Sequence, residues 1–184
     1  MRDLFLCKAT AHWLAYKKAA GFEHALSEAL LIVPVAECLA ANGYTLKTET
    51  DTTKYGVGTP GLFNYDVVAE KEGEVVFLET KYLRAKPNAN RCLTDLMKLA
   101  LPATDNCQRL LLVAGKAKIV ELLQLERQYH VDDLDDVAKS DREFGRFLNK
   151  FKTEKSSPKL VLVQASDPIE ADGEVVKAFT VSRE

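Results

Sequence analysis

Two short apolar runs joined by a polar turn constrain the fold of this chain most strongly. Residues 65–70 and 75–82 each have the length and composition of a β-strand, and a Lys-Glu-Gly-Glu turn separates them. We therefore expect a β-hairpin. Because side chains alternate between the two faces of a strand, Glu79 and Lys81 point the same way. A hairpin of this size can bring Asp66 alongside Glu79, so that two carboxylates and one ammonium converge at a sheet edge.

This combination of side chains suits a hard divalent cation. Mg²⁺ prefers oxygen ligands and keeps several waters, so one or two carboxylates plus a substrate phosphate are enough to hold it. We predict Asp66 and Glu79 as ligands of Mg²⁺ or Mn²⁺, with the backbone carbonyl of Thr80 as a further candidate. A cation held there polarises a phosphoryl oxygen and supplies hydroxide. Lys81 beside it would orient the attacking water or stabilise charge on the phosphorus.

The Asp-x12-Glu-x-Lys pattern of Asp66, Glu79 and Lys81 resembles the core motif of the PD-(D/E)xK nuclease superfamily, which has the restriction-endonuclease-like fold. The resemblance covers roughly residues 22–115 and implies an αβββαβ core that cuts DNA with Mg²⁺. Tyr65 stands where the family pattern has proline, which is often absent in relatives. The resemblance also implies a glutamate on the helix that precedes the first core strand.

The sequence offers two such glutamates. Residues 22–42 are largely apolar and predict a buried helix, kinked or restarted at Pro34 and ended by Asn-Gly. Glu28 and Glu37 are nine positions apart, which is about 180° around a helix, so at most one of them can face the carboxylates. The surroundings of Glu28 are more similar to the family pattern, so we predict that Glu28 assists the site and keep Glu37 in reserve. An acid in the first turn that favours the helix dipole is the structural alternative for Glu28.

The elements around the hairpin follow the order helix, strand, strand, strand, helix, strand, as in the superfamily core. A strand is predicted after Gly43, and an apolar strand from Arg109. The helix between the hairpin and this last strand is expected to start near Thr94 or Asp95. Four basic residues near this helix are candidate contacts for nucleic-acid phosphates, although a solvated helix face explains each one singly. They are Arg84, Lys86, Arg91 and Lys98.

Three further pieces are predicted outside this core: an amphipathic N-terminal helix, a charged helical stretch and a terminal β-hairpin. They span residues 2–20, residues 116–151, and residues 159–165 with 175–182. The length of 184 residues suits one domain. We expect a single α/β domain with a mixed central sheet, a core at about 22–115 and a C-terminal extension at about 116–184.

Net charge and cysteine content limit the classes of function that this chain can have. A net charge of −2 and a pI near 6.0 argue against a scaffold that coats nucleic acid, but a local basic rim would serve a nuclease. The four cysteines lack zinc-ligand spacing, and no segment resembles an export signal or a membrane span. We therefore expect a cytoplasmic protein that is not membrane-bound. We expect a Mg²⁺-dependent nuclease that acts on DNA, with a homodimer as one arrangement. The alternatives are a catalytically inactive nucleic-acid- or protein-binding module of the same fold, and an unrelated α/β protein in which the motif has no role.

Overall fold

The computed structural model of the chain describes residues 2–22, 26–57, 64–84, 89–102, 104 and 106–184. These residues contain helices α1 (Arg2–Ala19), α2 (Glu28–Ala41), α3 (Ala89–Ala100), α4 (Ala117–Val120), α5 (Asp135–Ser140) and α6 (Arg142–Thr153). They also contain strands β1 (Thr45–Asp51), β2 (Asn64–Lys71), β3 (Glu74–Leu83), β4 (Cys107–Lys116), β5 (Gln128–His130), β6 (Leu160–Ala165), β7 (Ile169–Ala171) and β8 (Glu174–Arg183). The order predicted for the core, from α2 through β1, β2, β3 and α3 to β4, is confirmed.

All eight strands belong to one mixed sheet. The strand order is β1-β2-β3-β4-β8-β6-β5, and β7 pairs with β8 beside β6. The hairpin of β2 and β3 is antiparallel, whereas β3 and β4 run parallel, with α3 as the connection between them. The remaining pairs are antiparallel. The prediction of an α/β fold with a mixed central sheet is therefore confirmed.

Helices cover both faces of the sheet, so alternate residues of β3 enter two different apolar cores. Phe77 packs with side chains of α3 and α6, while Leu78 packs with side chains of α1 and α2. A sheet covered on both faces needs strands that are apolar on both sides, and β3 is buried continuously from Val76 to Thr80. A polar side chain inside this stretch, such as that of Glu79, is consequently taken out of water.

Helix α2 begins at Glu28, six residues later than the predicted start at residue 22, with Ser27 as its N-cap. Residues 23–25 lie outside the described part of the chain. Pro34 lies inside the helix and is buried. The helix stops where Gly43 adopts a φ of +82°, a conformation that glycine takes at little cost. The loop that leads from β1 towards Asp66 is described only as far as Val57.

The C-terminal part differs from its prediction in two ways. Strands β6 and β8 pair as expected, but β7 lies between them in the chain and also pairs with β8, so they are not the two arms of one hairpin. Strand β8 pairs with β4 on its other side. The prediction of continuous helix over 116–151 is wrong, because β5 interrupts it and pairs with β6. Three residues are too few for a strand periodicity to stand out, and only burial of Tyr129 against the sheet marks this strand.

Two further observations concern membrane-spanning helices and disulfide bonds. Within the described ranges, no helix has both the length and the apolar character needed to cross a membrane. All four cysteines fall in the described residues, and none of them forms a disulfide.

Candidate active site

Strands β2 and β3 separate at the end that carries the predicted site. Their paired register ends at Val67 and Leu78, and Asp66 and Glu79 come immediately beyond. There Asp66 Oδ2 accepts hydrogen bonds from the Thr80 backbone N–H at 2.7 Å and from the Thr80 hydroxyl at 2.9 Å. The backbone N–H of Asp66 in turn donates to Glu79 Oε1 at 3.3 Å. Side chains thus replace the ladder hydrogen bonds, and the structure brings Asp66 and Glu79 together.

Thr80 directly follows Glu79 in the chain and is buried. Because the N–H and C=O of one strand residue point to the same neighbouring strand, the Thr80 carbonyl also faces the opening between β2 and β3. The carbonyl that the sequence suggests as a further cation ligand is therefore on the correct side of the strand.

Glu79 is buried against an ammonium. Its side chain is 4% exposed, and Lys98 Nζ lies 2.6 Å from Oε1. Lys98 also donates to the backbone carbonyl of Asn64 at 2.6 Å. Burial raises the pKa of Glu79 to about 8; the charge of Lys98 opposes this shift, and the charge of Asp66 adds to it. Lys98, predicted as a contact for nucleic acid, is instead a mostly buried partner of Glu79, with its side chain 14% exposed.

Lys81 lies between two further carboxylates. Its Nζ is 3.0 Å from Asp95 Oδ2 and 3.4 Å from Glu28 Oε2. Burial alone would lower the pKa of Lys81, but the charge and hydrogen bonding of Asp95, together with the charge of Glu28, raise it above its usual value. The side chain therefore remains an ammonium at neutral pH. Glu37, the reserve candidate, is exposed on α2, so Glu28 is the glutamate of this helix that reaches the site.

The predicted position of Asp95 near the start of its helix is wrong. Helix α3 spans Ala89–Ala100 and places Asp95 in the middle, on the buried side. Burial raises the pKa of Asp95, opposed by the charge of Lys81. A sequence signal exists, because Asp95 lies three residues after Cys92 and four before Leu99 on the apolar face of an amphipathic helix. An acid in that position needs a buried partner.

Arg84 and Arg91 are the other predicted basic contacts that fall in the described residues. Arg84 donates a hydrogen bond to the carbonyl of Leu26, just before α2. Arg91 is exposed near Asp141, which caps the N-terminus of α6. Lys86 lies outside the described residues. Arg84 and Arg91 are thus both exposed in the described part of the chain.

The ionisable side chains of the site include more carboxylates than ammonium groups. Six ionisable side chains form two contact groups: Lys81 with Asp95 and Glu28, and Glu79 with Lys98 and the backbone N–H of Asp66. With all of them ionised the formal charge is −2, which one divalent cation would neutralise. In the part of the chain that is described, no group of three or more His, Cys, Asp or Glu side chains forms a metal-binding arrangement. Two carboxylates and a carbonyl still fit Mg²⁺, which retains several waters.

Models of protein families, curated proteins and solved structures were each compared with this chain, and none of them matches. Function must therefore be inferred from the geometry and charge of the site itself.

Proposed function

We propose that this protein is a Mg²⁺-dependent nuclease that hydrolyses phosphodiester bonds in DNA. The observation that carries the proposal is that Asp66 and Glu79 meet where β2 and β3 separate, with Lys81 two residues beyond Glu79 on the same strand. The core order and the parallel pairing of β3 with β4 support a restriction-endonuclease-like fold of the PD-(D/E)xK type. Cutting both strands of a duplex would need two such sites, which is the reason to expect a homodimer.

Asp66, Glu79 and the Thr80 carbonyl would hold the Mg²⁺, and Mn²⁺ would fit the same oxygen ligands. When bound, the cation supplies a polarised phosphoryl oxygen and a water of lowered pKa. Asp66 is oriented for this role by its two hydrogen bonds from Thr80, which fix the carboxylate in the opening between the strands.

Lys81 would act as a hydrogen-bond donor and not as a base, because its pKa is raised and it keeps its proton. It would orient the attacking water and stabilise negative charge on the phosphoryl oxygens. Asp95 and Glu28 hold the ammonium from two sides and are positioning residues. Removal of either partner should therefore reduce the rate without removing the site.

One observation favours the alternative, a catalytically inactive module of the same fold. Glu79 and Lys81 are both already engaged in ion pairs, with Lys98 and Asp95 respectively. In such a module these pairs would serve only to neutralise charges that the fold buries. Nucleic-acid binding without cleavage under any metal would then be the observed behaviour.

Cleavage of circular and linear DNA by the full-length protein with Mg²⁺, Mn²⁺ or EDTA tests the proposal. Asp66→Asn and Lys81→Met should each abolish cutting, whereas Lys139→Met should not, because Lys139 forms an exposed ion pair with Asp136 away from the site. Conversion of the circular substrate would identify an endonuclease. DNA binding without cleavage by the unmodified protein would favour the inactive module, and absence of both would reject the nuclease.

A further inference from the structure

An exposed group of rings surrounds one ammonium near the C-terminal end of α1. Lys17 Nζ lies 5.3 Å from the ring centroid of Trp13, 5.7 Å from that of Tyr16 and 5.5 Å from that of Phe22. Tyr16 is 66% exposed and Phe22 is 55% exposed. We refer to Trp13, Tyr16, Lys17 and Phe22 as the aromatic cluster.

The position of Phe22 follows from the way α1 ends. Gly21 has a φ of +81°, its N–H donates to the Lys18 carbonyl at 3.0 Å, and the N–H of Phe22 donates to the Lys17 carbonyl at 2.9 Å. This Schellman arrangement usually places an apolar side chain back against the last turn of the helix, where it is covered. Here more than half of the Phe22 surface remains open to solvent. Two large aromatic side chains that are both exposed and both close to Lys17 Nζ indicate a contact surface.

The aromatic cluster lies at the same end of the sheet as the candidate active site. Lys18, next to Lys17, donates to the carbonyl of Asp172 at 2.7 Å. Two residues further along, Glu174 pairs with Lys116 at the end of β4. The neighbouring pair in β3 and β4 is Leu83 with Gly115, and Leu83 lies two residues after Lys81. The Tyr82 hydroxyl also lies 3.4 Å from the Glu174 carboxylate.

We propose that the aromatic cluster binds unpaired nucleotides of a single-stranded segment of the substrate; this inference rests on the proposed nuclease function. Bases would stack on Tyr16 and Phe22, because every base has an aromatic face that such rings can contact. Lys17 would neutralise a backbone phosphate. An ammonium at the centre of the rings disfavours an apolar protein partner, because covering it with such a surface would remove its water without replacing it.

The test measures binding of a short oligothymidylate and of a matched duplex to the full-length protein in EDTA, which prevents metal-dependent cleavage. Trp13 is the single tryptophan of the chain, so its fluorescence reports directly on stacking at the aromatic cluster. The double variant Tyr16→Ala/Phe22→Ala should raise the Kd for the single strand by about tenfold or more. Phe5→Ala is the matched control, because Phe5 is 54% exposed near the other end of the same helix.

Each outcome separates the inference from the function on which it rests. A Kd for the single strand that is unchanged in the double variant, or raised equally by Phe5→Ala, overturns the inference and leaves the nuclease intact. Binding of duplex alone by the unmodified protein overturns it as well. Absence of all nucleic-acid binding removes both proposals. Lys17→Met gives a second readout, since loss of one phosphate contact should reduce the salt dependence of binding by about one counterion.

Discussion

Lys98 and Glu79 form a nearly buried ion pair, with 2.6 Å between Nζ and Oε1 and side-chain exposures of 14% and 4%. The ammonium therefore lies directly beside the carboxylate that is proposed as a cation ligand. Because Lys98 is also held by the Asn64 carbonyl, its position is fixed by α3 and β2 together. An incoming divalent cation would have to compete with this ammonium for the oxygens of Glu79.

Asp66 combines a proposed ligand role with a structural one, and two substitutions should separate them. Asp66→Asn retains an oxygen that can accept from Thr80, so we expect loss of cleavage with little loss of stability. Asp66→Ala leaves the buried Thr80 N–H without its partner and should cost a further 1–3 kcal/mol, roughly, in unfolding free energy. Urea unfolding and cleavage assays on both variants measure the two effects. Equal stabilities would contradict the structural role.

The raised pKa of Glu79 predicts how stability changes with pH. Its pKa is about 8 in the folded protein and near 4.5 when the chain is unfolded, so the folded state binds more protons between these values. The contribution of the protonated Glu79 carboxyl to the free energy of unfolding is fully present below pH 4.5 and is lost as the pH rises to about 8. The slope is at most about 1.4 kcal/mol per pH unit. Urea unfolding of the unmodified protein should show this extra decline relative to Glu79→Gln, and parallel curves would refute it.

The same pKa links metal binding to proton release. Burial raises the pKa of Glu79 to about 8, so near neutral pH a divalent cation that uses this carboxylate competes with a proton as well as with Lys98. Calorimetric titration with Mg²⁺ in two buffers of different ionisation enthalpy should therefore report released protons near neutral pH. Glu79→Gln has no proton to lose and serves as the control. A heat that is independent of the buffer would show that cation binding releases no proton from Glu79.

Lys81 and Asp95 should behave as a coupled pair. Lys81→Met leaves the buried Asp95 carboxylate without its closest cation and should cost roughly 3–5 kcal/mol, reduced where Asp95 takes up a proton. Adding Asp95→Asn removes the unpaired charge, so the double variant should recover stability without recovering cleavage. A double-mutant cycle by urea unfolding should give a coupling energy of about 1–3 kcal/mol. Additive effects would show that the two side chains do not interact.

Gly115 is expected to tolerate no side chain. A Cβ at this position would lie 2.5 Å from the carbonyl oxygen of Leu83, its partner in the parallel β3–β4 pair. Gly115→Ala should therefore destabilise the protein by roughly 2 kcal/mol or more. Gly56→Ala is the matched control, because Gly56 also has a positive φ but open space around it, so only the conformational cost of about 1 kcal/mol applies. Similar losses in both variants would exclude the clash.

The hairpin and its neighbours were largely predictable because their signals are local. Alternation along residues 75–82 correctly indicated that Glu79 and Lys81 share a face, since strand geometry fixes this without reference to other elements. The separation of Glu28 from Glu37 showed that one of them at most could reach the carboxylates. Neither pattern could say which glutamate that would be, because this depends on how α2 packs against the sheet.

The sequence by itself determined the order of the core elements, the β2–β3 hairpin and the spacing that allows Asp66 and Glu79 to meet. Only the tertiary structure decided that Lys98 neutralises Glu79 and that Asp95 holds Lys81. It also decided that β8 lies between β4 and β6. The physical reason is that backbone periodicity depends on neighbouring residues, whereas buried ion pairs and strand order depend on contacts between residues far apart in the chain.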